Sequence, residues 1–324
     1  MMSLKGYLKK VNARVVKFTL ESWARILPVS YSKYLYKKVL NKRLNLINPK
    51  DFNEKIEWLK LYSDISQWSE LADKYKVRNY VTELGLSHIL AGLYGVWKRA
   101  EEIDFSRLPD KFVLKTNNSF GRIVIVPDKN KLDIERTKAQ LNKWVKERYG
   151  LVTFEPHYWN IDRRIIAEEY LEDNRGKGVS SSLIDYKFWC IHGEPNIVMV
   201  LYDRKNLGSR SEFRPDEPLV KAAVYDLSWN LRPDILAGSL AREKPLLLPK
   251  PKCFDEMIQI CRALSKPFPQ VRVDLYEVNE KVYFSELTFT PGGNKAYFTD
   301  DYFLKLGEKI DLSKVQLRKK WLVV

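Results

Sequence analysis

Hydrophobic and polar residues alternate in short runs after residue 110, and this pattern predicts β-strands. Alternation with a period of two places one set of side chains on each face of a strand. Two longer stretches, residues 133–149 and Phe254 to Leu264, repeat their apolar residues with a helical period. Strands joined by hairpins and mixed with helices predict an α+β fold class rather than a purely parallel sheet. The predicted strands cover residues 111–116, 122–126, 164–171, 185–192, 196–203, 270–278 and 282–289.

Helical periodicity dominates the first part of the chain. Residues 1–50 are predicted to form a helical arm, which Asn48-Pro49 interrupts. Asp51, with Glu54 three residues later, is typical of a capping box at the start of a new helix. The other predictions for this part are a helix over 68–84 and short strands and turns over 85–110.

Positive charge is concentrated in this arm. The net charge is +15, and residues 1–50 hold twelve Lys and Arg but a single acid, so they contribute +11 of it. A basic amphipathic helix can lie on an anionic membrane surface. It can equally dock on its own protein with a solvated basic face, whereas nucleic acid is a weaker candidate because no recognition motif accompanies the charge. Leu4, Tyr7, Leu8, Val11, Val15 and Phe18 fall near one helix face, and Lys5, Lys9, Arg14 and Lys17 fall away from it.

Composition narrows the class of protein. The 324 residues suffice for one large domain or two to three smaller ones. We find no apolar run of transmembrane length and no secretory apolar segment, so we expect a cytoplasmic protein, with the inner face of the cell membrane as a site the arm could reach. The three cysteines lack metal-binding spacing and are expected to be reduced thiols, and the three histidines form no metal-ligand pattern.

Two predicted strands end in groups suited to a nucleotide. Lys115 ends the first of them and is followed by the polar loop 117–121, whose backbone N–H groups, with Ser119 and Gly121, could face phosphate oxygens. An ordinary hairpin would show the same pattern. Glu168 and Glu169 are consecutive on a strand, so they point to opposite faces and one of them must face the interior or a cleft. An edge-strand salt bridge is the alternative.

Asp185 and Lys187 lie two residues apart and therefore share a face of their strand. Together they could hold a ribose hydroxyl and a phosphate. A surface ion pair is equally consistent with the spacing.

Asp274 and Glu286 give the sharpest prediction. They lie in the two strands of a hairpin, and a three-residue loop, 279–281, would pair Val278 with Val282 and Asp274 with Glu286. Paired carboxylates repel one another unless a cation lies between them or one is protonated. Oxygen ligands of this kind suit Mg²⁺. We therefore predict the three-residue loop and a metal site, to which Thr288, on the Glu286 face, could add a hydroxyl.

In this order, these segments and several others resemble the ATP-grasp superfamily, and within it the TupA-like group associated with teichuronopeptide and other cell-surface polysaccharide synthesis. The resemblance extends from about residue 48 to 310. It implies two α+β subdomains that grip ATP, preceded by the basic helical arm. The segments are NPKDFNEKIEWLKLY, LADKYKVRNYV, GVW, FVLK, IIAEEYLED, DYKFWCIHGEP, VRVDLYEVN and FSELTFTPGG.

The resemblance also implies a division of the chain. Residues 1–50 would be the basic amphipathic arm and 51–110 a region preceding the ATP-grasp domain. The ATP-grasp domain itself would occupy 111–324, with a small subdomain at about 111–170 and a large one at about 171–315.

The resemblance assigns roles to individual residues. The phosphates of ATP would contact Lys115 and Lys74. Its adenine would contact the hinge Glu169–Leu171, which includes Tyr170, and the neighbouring Glu168. Asp185 would lie near its sugar. Mg²⁺ would be held by Asp274, Glu286 and Thr288. By charge and position, the candidates for contacts to the transferred phosphate or the substrate carboxylate are Lys187, Arg204 and Arg272.

Two positions depart from the superfamily pattern. Its phosphate loop is richer in glycine, whereas here Phe120 precedes the single glycine, Gly121. Many ATP-grasp enzymes also carry Asn where this chain has Thr288. Both departures affect the groups expected to hold the phosphates and the metal.

The implied activity is ATP-dependent ligation of a carboxylate to an amine through an acylphosphate. A polysaccharide context suggests a uronic acid as the acid and an amino acid or amino sugar as the amine. A glycosyltransferase would fit the same pathways, but the sequence lacks a DxD at a strand end. A non-catalytic ATP-grasp binding protein and a sugar kinase are further alternatives.

Overall fold

The computed structural model describes residues 4–173, 179–205, 219–241, 245–291 and 297–319, with the side chains of the first helix described from Val15 onwards. The described chain consists of α-helices, short 3₁₀ turns and two antiparallel sheets, as expected for the α+β class. The helices are α1 (Leu4–Ile26), α2 (Pro28–Leu40), α3 (Phe52–Tyr62), α4 (Ser66–Ala72), α5 (Val77–Glu83), α6 (Ile134–Lys146), α7 (Phe254–Ser265) and α8 (Asp300–Glu308). The strands are β1 (Leu93–Trp97), β2 (Phe112–Thr116), β3 (Ile123–Val126), β4 (Ile165–Glu169), β5 (Asp185–Ile191), β6 (Glu194–Tyr202), β7 (Lys221–Tyr225), β8 (Gln270–Val278) and β9 (Lys281–Thr288).

The basic arm consists of two helices joined at Leu27, since Pro28 occupies the first position of α2. The second helix ends at Asn41, whose φ of 57° gives a left-handed cap. Most of this helix belongs to the folded body: Tyr31 and Tyr36 are buried, and the Tyr31 hydroxyl donates to the Val152 carbonyl at 2.6 Å. The apolar face predicted from Leu4 to Val11 lies outside the described side chains.

The predicted capping box begins α3. Asp51 accepts from the Glu54 backbone N–H at 2.9 Å, and the Glu54 side chain returns to the Asp51 N–H. The helical prediction for 68–84 holds for two helices, α4 and α5, rather than one. Asp73 separates them because its carboxylate accepts from the backbone N–H of Tyr75 at 2.8 Å and so forms a local turn.

The four-stranded sheet has the order β1-β4-β2-β3. One face, which includes Phe112 and Leu114, packs with α6 around Leu141 in a hydrophobic core. Strand β1 comes from the region before residue 110, yet it pairs with β4 at the edge of this sheet. The division of the chain into an arm, a preceding region and two subdomains stays a prediction.

The five-stranded sheet has the order β7-β6-β5-β8-β9. Its strands β5 and β8 are buried over most of their length, and α7 packs on them through Met257, Cys261 and Leu264. The same core includes residues of α3, α4 and α8, so the region after the arm is part of the large hydrophobic core. Cys190, Cys253 and Cys261 form no disulfide, and Cys253 is half-buried.

The β8–β9 hairpin corrects the predicted loop. Val278 pairs with Lys281, so the turn has two residues, Asn279 and Glu280, with φ values of 52° and 62°. Positive φ at both central residues is the signature of a tight hairpin turn that matches the strand twist. The three-residue loop was therefore wrong.

The predicted pairing of Asp274 with Glu286 is nevertheless confirmed, because the ladder shifts between Leu275, which pairs with Phe284, and Asp274. Ser285 is the extra residue of this β-bulge, and it restores the face that a two-residue turn alone would have reversed. The Pro291-Gly292-Gly293 turn that the sequence suggested lies, at its glycines, outside the described residues.

Within the described residues, we found no helix with both the length and the apolar character needed to span a bilayer.

Candidate functional site

A row of charged side chains crosses three neighbouring strands of the five-stranded sheet. Lys187 on β5 pairs in register with Asp274 on β8, which pairs with Glu286 on β9. The Lys187 ammonium contacts the Asp274 carboxylate directly. Antiparallel register therefore places a cation and two carboxylates side by side on one face.

A second row lies beside it and supplies a buried guanidinium. Arg272 pairs in register with Thr288 and donates to both oxygens of Asp274, at 2.7 and 2.6 Å. It also donates to the Thr288 hydroxyl at 3.0 Å and lies 3.5 Å from Glu286. The Arg272 guanidinium stands 5.6 Å from the Trp189 ring centre, which holds it from the other side. Asp274 is fully buried, and both of its oxygens are engaged.

Asp185 lies at one end of this cluster. Its Oδ2 accepts from Lys187 at 2.8 Å and from Arg204 at 2.9 Å. Its Oδ1 is buried and has no hydrogen-bond partner among the described residues. A buried carboxylate oxygen without a donor is costly, so this atom faces a position that a ligand donor could fill.

Glu286 is the most accessible acid of the pair, with 20% of its side chain exposed against 0% for Asp274. Burial alone would raise the pKa of Glu286, but the charges of Lys74, Lys187 and Arg272 outweigh it and lower the pKa below its usual range. Glu286 is therefore an ionised carboxylate that still reaches solvent.

The face of the four-stranded sheet that carries Lys115 has its own ion pairs. Lys115 contacts Glu168, and Arg78 lies 3.6 Å from the same carboxylate. Glu169 points to the other face, as predicted for consecutive strand residues, and accepts from the Gly92 N–H at 3.0 Å. The face that carries Lys115 and Glu168 is the one turned away from α6.

Residues Tyr170 and Leu171 continue from β4 towards the five-stranded sheet. The Lys111 ammonium lies 5.8 Å from the Tyr170 ring centre. Asn279, in the β8–β9 turn, donates to the Glu172 carbonyl at 3.2 Å and so ties this segment to the second sheet. The segment is placed where a connection between two subdomains is expected.

The loop 117–121 is largely buried, which an ordinary exposed hairpin loop would not be. Asn118 and Ser119 are 1% and 5% exposed, whereas Phe120 is 64% exposed. Thr116 and Ser119 share a hydrogen bond of 2.6 Å, and Gly121 has a φ of 69° that favours glycine. The Asn118 Oδ1 is buried without a hydrogen-bond partner in the described chain.

Lys74 connects the two groups of residues. Its ammonium donates to the Ser119 carbonyl at 3.0 Å and lies 3.1 Å from Glu286. The loop of one sheet and the acid pair of the other therefore meet at one cation.

The structure places most of the predicted residues in two groups. The group on the five-stranded sheet contains Asp185, Lys187, Arg204, Arg272, Asp274, Glu286 and Thr288. The group on the four-stranded sheet contains Lys115, Ser119, Gly121 and Glu168. Lys74 lies between them, while Glu169, Tyr170 and Leu171 lie at the end of β4.

Sequence reasoning missed three features of this region. Arg78 reaches Glu168 from α5, and the only signal was its place in the motif LADKYKVRNYV. Asn118 was treated only as part of a backbone loop. The exposed Ile123 and Ile125 of β3 lie on the face that carries Lys115, and their alternation with Val124 and Val126 was the available signal. Ile123 and Ile125 form an apolar surface beside the charged residues.

The oxygen donors fit a Mg²⁺ ion. Such an ion usually takes one or two protein carboxylates and shares the rest of its shell with phosphates and water. Glu286 offers an ionised, accessible carboxylate, and the Thr288 hydroxyl lies 3.3 Å from its Oε1. Asp274 pairs in register with Glu286, but its oxygens already contact Lys187 and Arg272. One of these contacts would have to break before Asp274 could bind the metal. Across the described residues, no cluster of three or more acidic, His or Cys side chains has metal-binding geometry.

Two antiparallel sheets whose charged residues meet at Lys74 are as expected for an ATP-grasp architecture. The chain belongs to the TupA-like ATPgrasp family, whose model matches residues 54–311. This membership confirms the fold and the family inferred from the sequence motifs. ATP binding is the property that gives this class of proteins its name.

Solved structures with a similar chain course include several ligases. D-alanine–D-alanine ligase from Bacillus anthracis has 14% identity and a TM-score of 0.46, with 80% of this chain and 69% of that chain covered. L-amino acid ligase from Bacillus licheniformis has 13% identity and a TM-score of 0.43, with 71% and 45% covered. VanG D-Ala:D-Ser ligase from Enterococcus faecalis has 14% identity and a TM-score of 0.43, with 77% and 63% covered. No curated protein matches the chain.

Proposed function

We propose that this protein is an ATP-dependent carboxylate–amine ligase that works through an acylphosphate. The observation that carries the proposal is the row Lys187–Asp274–Glu286, in which an ionised, accessible acid stands among cations beside a buried loop. A metal–triphosphate complex needs this combination of a carboxylate for the metal and cations for the phosphates. Family membership supports the same reading.

The nucleotide would lie between the two sheets. Its phosphates would contact Lys115 and Lys74 together with the N–H groups near Ser119 and Gly121. Its base would lie on the apolar side of the cleft, with the segment from Glu168 to Leu171 reading the adenine edge. Asp185 has a buried oxygen without a donor, and a ribose hydroxyl would supply one.

Mg²⁺ would be held by Glu286 and, after exchange of a cation, by Asp274, with Thr288 as a further oxygen. When bound, the ion neutralises charge on the triphosphate.

The chemistry requires two displacements and little nucleophilicity from the protein. An oxygen of the substrate carboxylate attacks the γ-phosphorus, and the bond to the departing ADP oxygen breaks. The amine then attacks the acyl carbon, phosphate leaves with the C–O electron pair, and the amine loses a proton. Lys187, Arg204 and Arg272 would hold the carboxylate and the transferred phosphate in line.

The substrate class follows from the polysaccharide context of the group that the motifs resemble. A uronic-acid carboxylate would be the acid, and an amino acid or amino sugar the amine, in cell-surface polysaccharide synthesis. Arg204 is 43% exposed and borders the cluster, so it is the guanidinium most accessible to a large acceptor.

The helical arm, residues 1–50, suggests where in the cell this reaction takes place. In α1, Val15, Val16 and Phe18 are all exposed, and Lys17 lies among them. A helix that presents apolar and basic groups together fits an anionic membrane surface. The protein would then work at the cytoplasmic face of the membrane, near a lipid-linked acceptor.

The test is to incubate the purified protein with Mg²⁺, ATP, a uronic acid and a panel of amino acids and amino sugars. We expect ADP and phosphate to appear only when acid and amine are both present, together with an amide product that mass spectrometry identifies. Lys187→Met should lower kcat/KM by about a hundredfold or more, because Lys187 is the cation of the charged row and would hold the carboxylate or the transferred phosphate. Lys309→Met, which replaces an exposed lysine at the end of α8 whose ammonium donates to Asn196, is the matched control.

Other outcomes separate the alternatives. Release of a nucleoside diphosphate from a sugar nucleotide would identify a glycosyltransferase. A phosphosugar without an amide would identify a kinase. Tight ATP binding without turnover of any acid and amine would identify a binding protein.

A further inference from the structure

Lys74 belongs to neither sheet but contacts residues associated with both of them. It precedes α5, yet its ammonium lies 3.0 Å from the Ser119 carbonyl and 3.1 Å from Glu286 Oε2. The lysine side chain is 13% exposed. A partly buried pair of this kind is screened by solvent much less than a surface ion pair.

The backbone around Lys74 is fixed, so the ammonium is delivered to a defined place. Its N–H donates to the Asn117 carbonyl at 3.0 Å, which joins it to the start of the loop. The preceding Asp73 is 1% exposed and holds the turn through the N–H groups of Tyr75 and Lys76. Lys74 is thus positioned by buried hydrogen bonds on both sides.

The two oxygens of Glu286 have different surroundings. Oε1 accepts from Thr288 at 3.3 Å and lies 3.5 Å from Arg272. Oε2 faces Lys74 at 3.1 Å. The ammonium therefore sits between a carboxylate oxygen and a carbonyl oxygen, the donors that a hard metal ion also prefers. A metal ion on Oε2 and an ammonium beside it would repel one another.

We propose that Lys74 is a placeholder cation, which occupies the Oε2 oxygen of Glu286, the proposed metal ligand, until the phosphates of a nucleotide arrive and then transfers its contact to them. The proposal rests on the function proposed above and adds that binding of the metal depends on binding of the nucleotide. Metal alone must displace the ammonium without offering it another anion. A metal–nucleotide complex brings that anion with it, so metal and nucleotide should bind with strong positive coupling.

The experiment measures Mn²⁺ binding by the electron paramagnetic resonance signal of the free ion, with and without ADP, after correction for the Mn²⁺–ADP complex. In the wild-type protein, we expect ADP to tighten Mn²⁺ binding by about tenfold or more. In Lys74→Met, Mn²⁺ alone should bind about fivefold or more tighter than in the wild type, and ADP should improve it far less. ADP affinity itself should fall in this variant.

Two further variants separate charge from position. Lys74→Arg keeps the positive charge and should retain weak binding of Mn²⁺ alone. Lys115→Met removes a cation that faces Glu168 rather than Glu286, so it should weaken ADP but leave the binding of Mn²⁺ alone unchanged.

Several results would overturn the proposal. One is wild-type protein that binds Mn²⁺ equally well with and without ADP, and this comparison needs no variant to fold. Another is Lys74→Met with wild-type affinity for Mn²⁺ alone, although ADP and Mn²⁺ still bind together. That second result would leave the ligase proposal intact, whereas a wild-type protein that binds neither Mn²⁺ nor ADP would remove both.

Discussion

His157 shows how completely this fold can bury a titratable group. Its ring is 0% exposed and packs between Trp68, Tyr158 and Phe289. Neither ring nitrogen has a hydrogen-bond partner in the described part of the chain. Burial, with a smaller contribution from Lys60, lowers the pKa of His157 to about 3. The ring is therefore neutral in the folded protein at neutral pH.

This burial predicts a loss of stability in mild acid. Above the unfolded pKa of about 6.5, His157 is neutral in both states and the full stability is present. As the pH falls towards 3, the unfolded chain takes up a proton that the folded protein excludes. His157 should thus cost about 2 kcal/mol of unfolding free energy at pH 5 relative to pH 7. Urea unfolding at the two pH values, followed by tryptophan fluorescence, measures this loss.

The variant His157→Phe should show a loss smaller by that amount, whatever its stability at pH 7. His88→Phe is the matched control, because it makes the same substitution at a side chain that is 55% exposed rather than buried. An equal loss in wild type and His157→Phe would mean that His157 ionises alike in the folded and unfolded protein.

At the scale of residues, strand alternation predicted the charged cluster well. It placed Asp185 with Lys187 on one face and separated Glu168 from Glu169, because these relations depend only on the pleat. Alternation could not predict that Arg272 would take both oxygens of Asp274. That contact depends on side-chain conformations in a buried row, which no local pattern encodes.

The β8–β9 hairpin is the element that most directly shapes the candidate site. Its turn uses Asn279 and Glu280 in the left-handed region. Asn adopts this conformation readily, whereas a glutamate there pays the steric cost of its Cβ. The bulge at Ser285, further along β9, sets the Asp274–Glu286 pairing together with the two-residue turn.

We therefore predict that Glu280→Gly raises the unfolding free energy by about 1 kcal/mol, since Asn-Gly is the preferred pair for this turn. The lost ion pair with Lys252 is exposed and contributes little. Urea unfolding measures the change, and Mg²⁺–nucleotide binding should be unaltered. Glu280→Gln removes the charge but keeps the Cβ, so it should leave stability nearly unchanged. A Gly variant no more stable than the Gln variant would contradict this explanation.

Helices and strands were predictable where the apolar residues repeat with a clear period. Interruptions of these elements were harder to predict. The seven strands predicted after residue 110 and the helices α6 and α7 lie within a few residues of their predicted bounds, whereas β7 was not predicted. The bulge was not predicted because one extra residue leaves no signature in a run such as VYFSELT. The division between α4 and α5 was missed for a similar reason: Asp73 competes for backbone N–H groups through its side chain, which periodicity ignores.

For the whole molecule, the arm divides into a docked part and a projecting part. Ser32 of α2 donates to Glu57 at 2.5 Å, and Glu57 also contacts Lys60, all three being buried. Removing α2 would therefore leave a buried charged pair without its donor and unfold part of the body. The exposed residues Val15 and Phe18 of α1 are not needed in this way to keep the body folded. The apolar periodicity predicted the arm's helicity but could not distinguish these two parts, because docking depends on contacts with residues far along the chain.

The projecting part gives the last prediction. Phe18 is 72% exposed, so Phe18→Ser should leave the unfolding free energy unchanged. If α1 lies on membranes, the substitution removes an aromatic side chain whose burial contributes about 1.5–3 kcal/mol, which corresponds to roughly tenfold or more in affinity. Cosedimentation with vesicles of phosphatidylglycerol and phosphatidylcholine measures that affinity. Added salt should weaken it, because the basic residues contribute through screened charges.

The matched control is Ile47→Ser, which removes an apolar side chain that is 99% exposed but lies outside both helices of the arm. Its vesicle affinity should equal that of the wild type, because Ile47 lies outside the helix that is expected to enter the lipid. Equal affinities for the wild type and Phe18→Ser would show that the exposed face of α1 does not enter the lipid. Binding that survives in vesicles of phosphatidylcholine alone would show that the concentration of positive charge in residues 1–50 has another use.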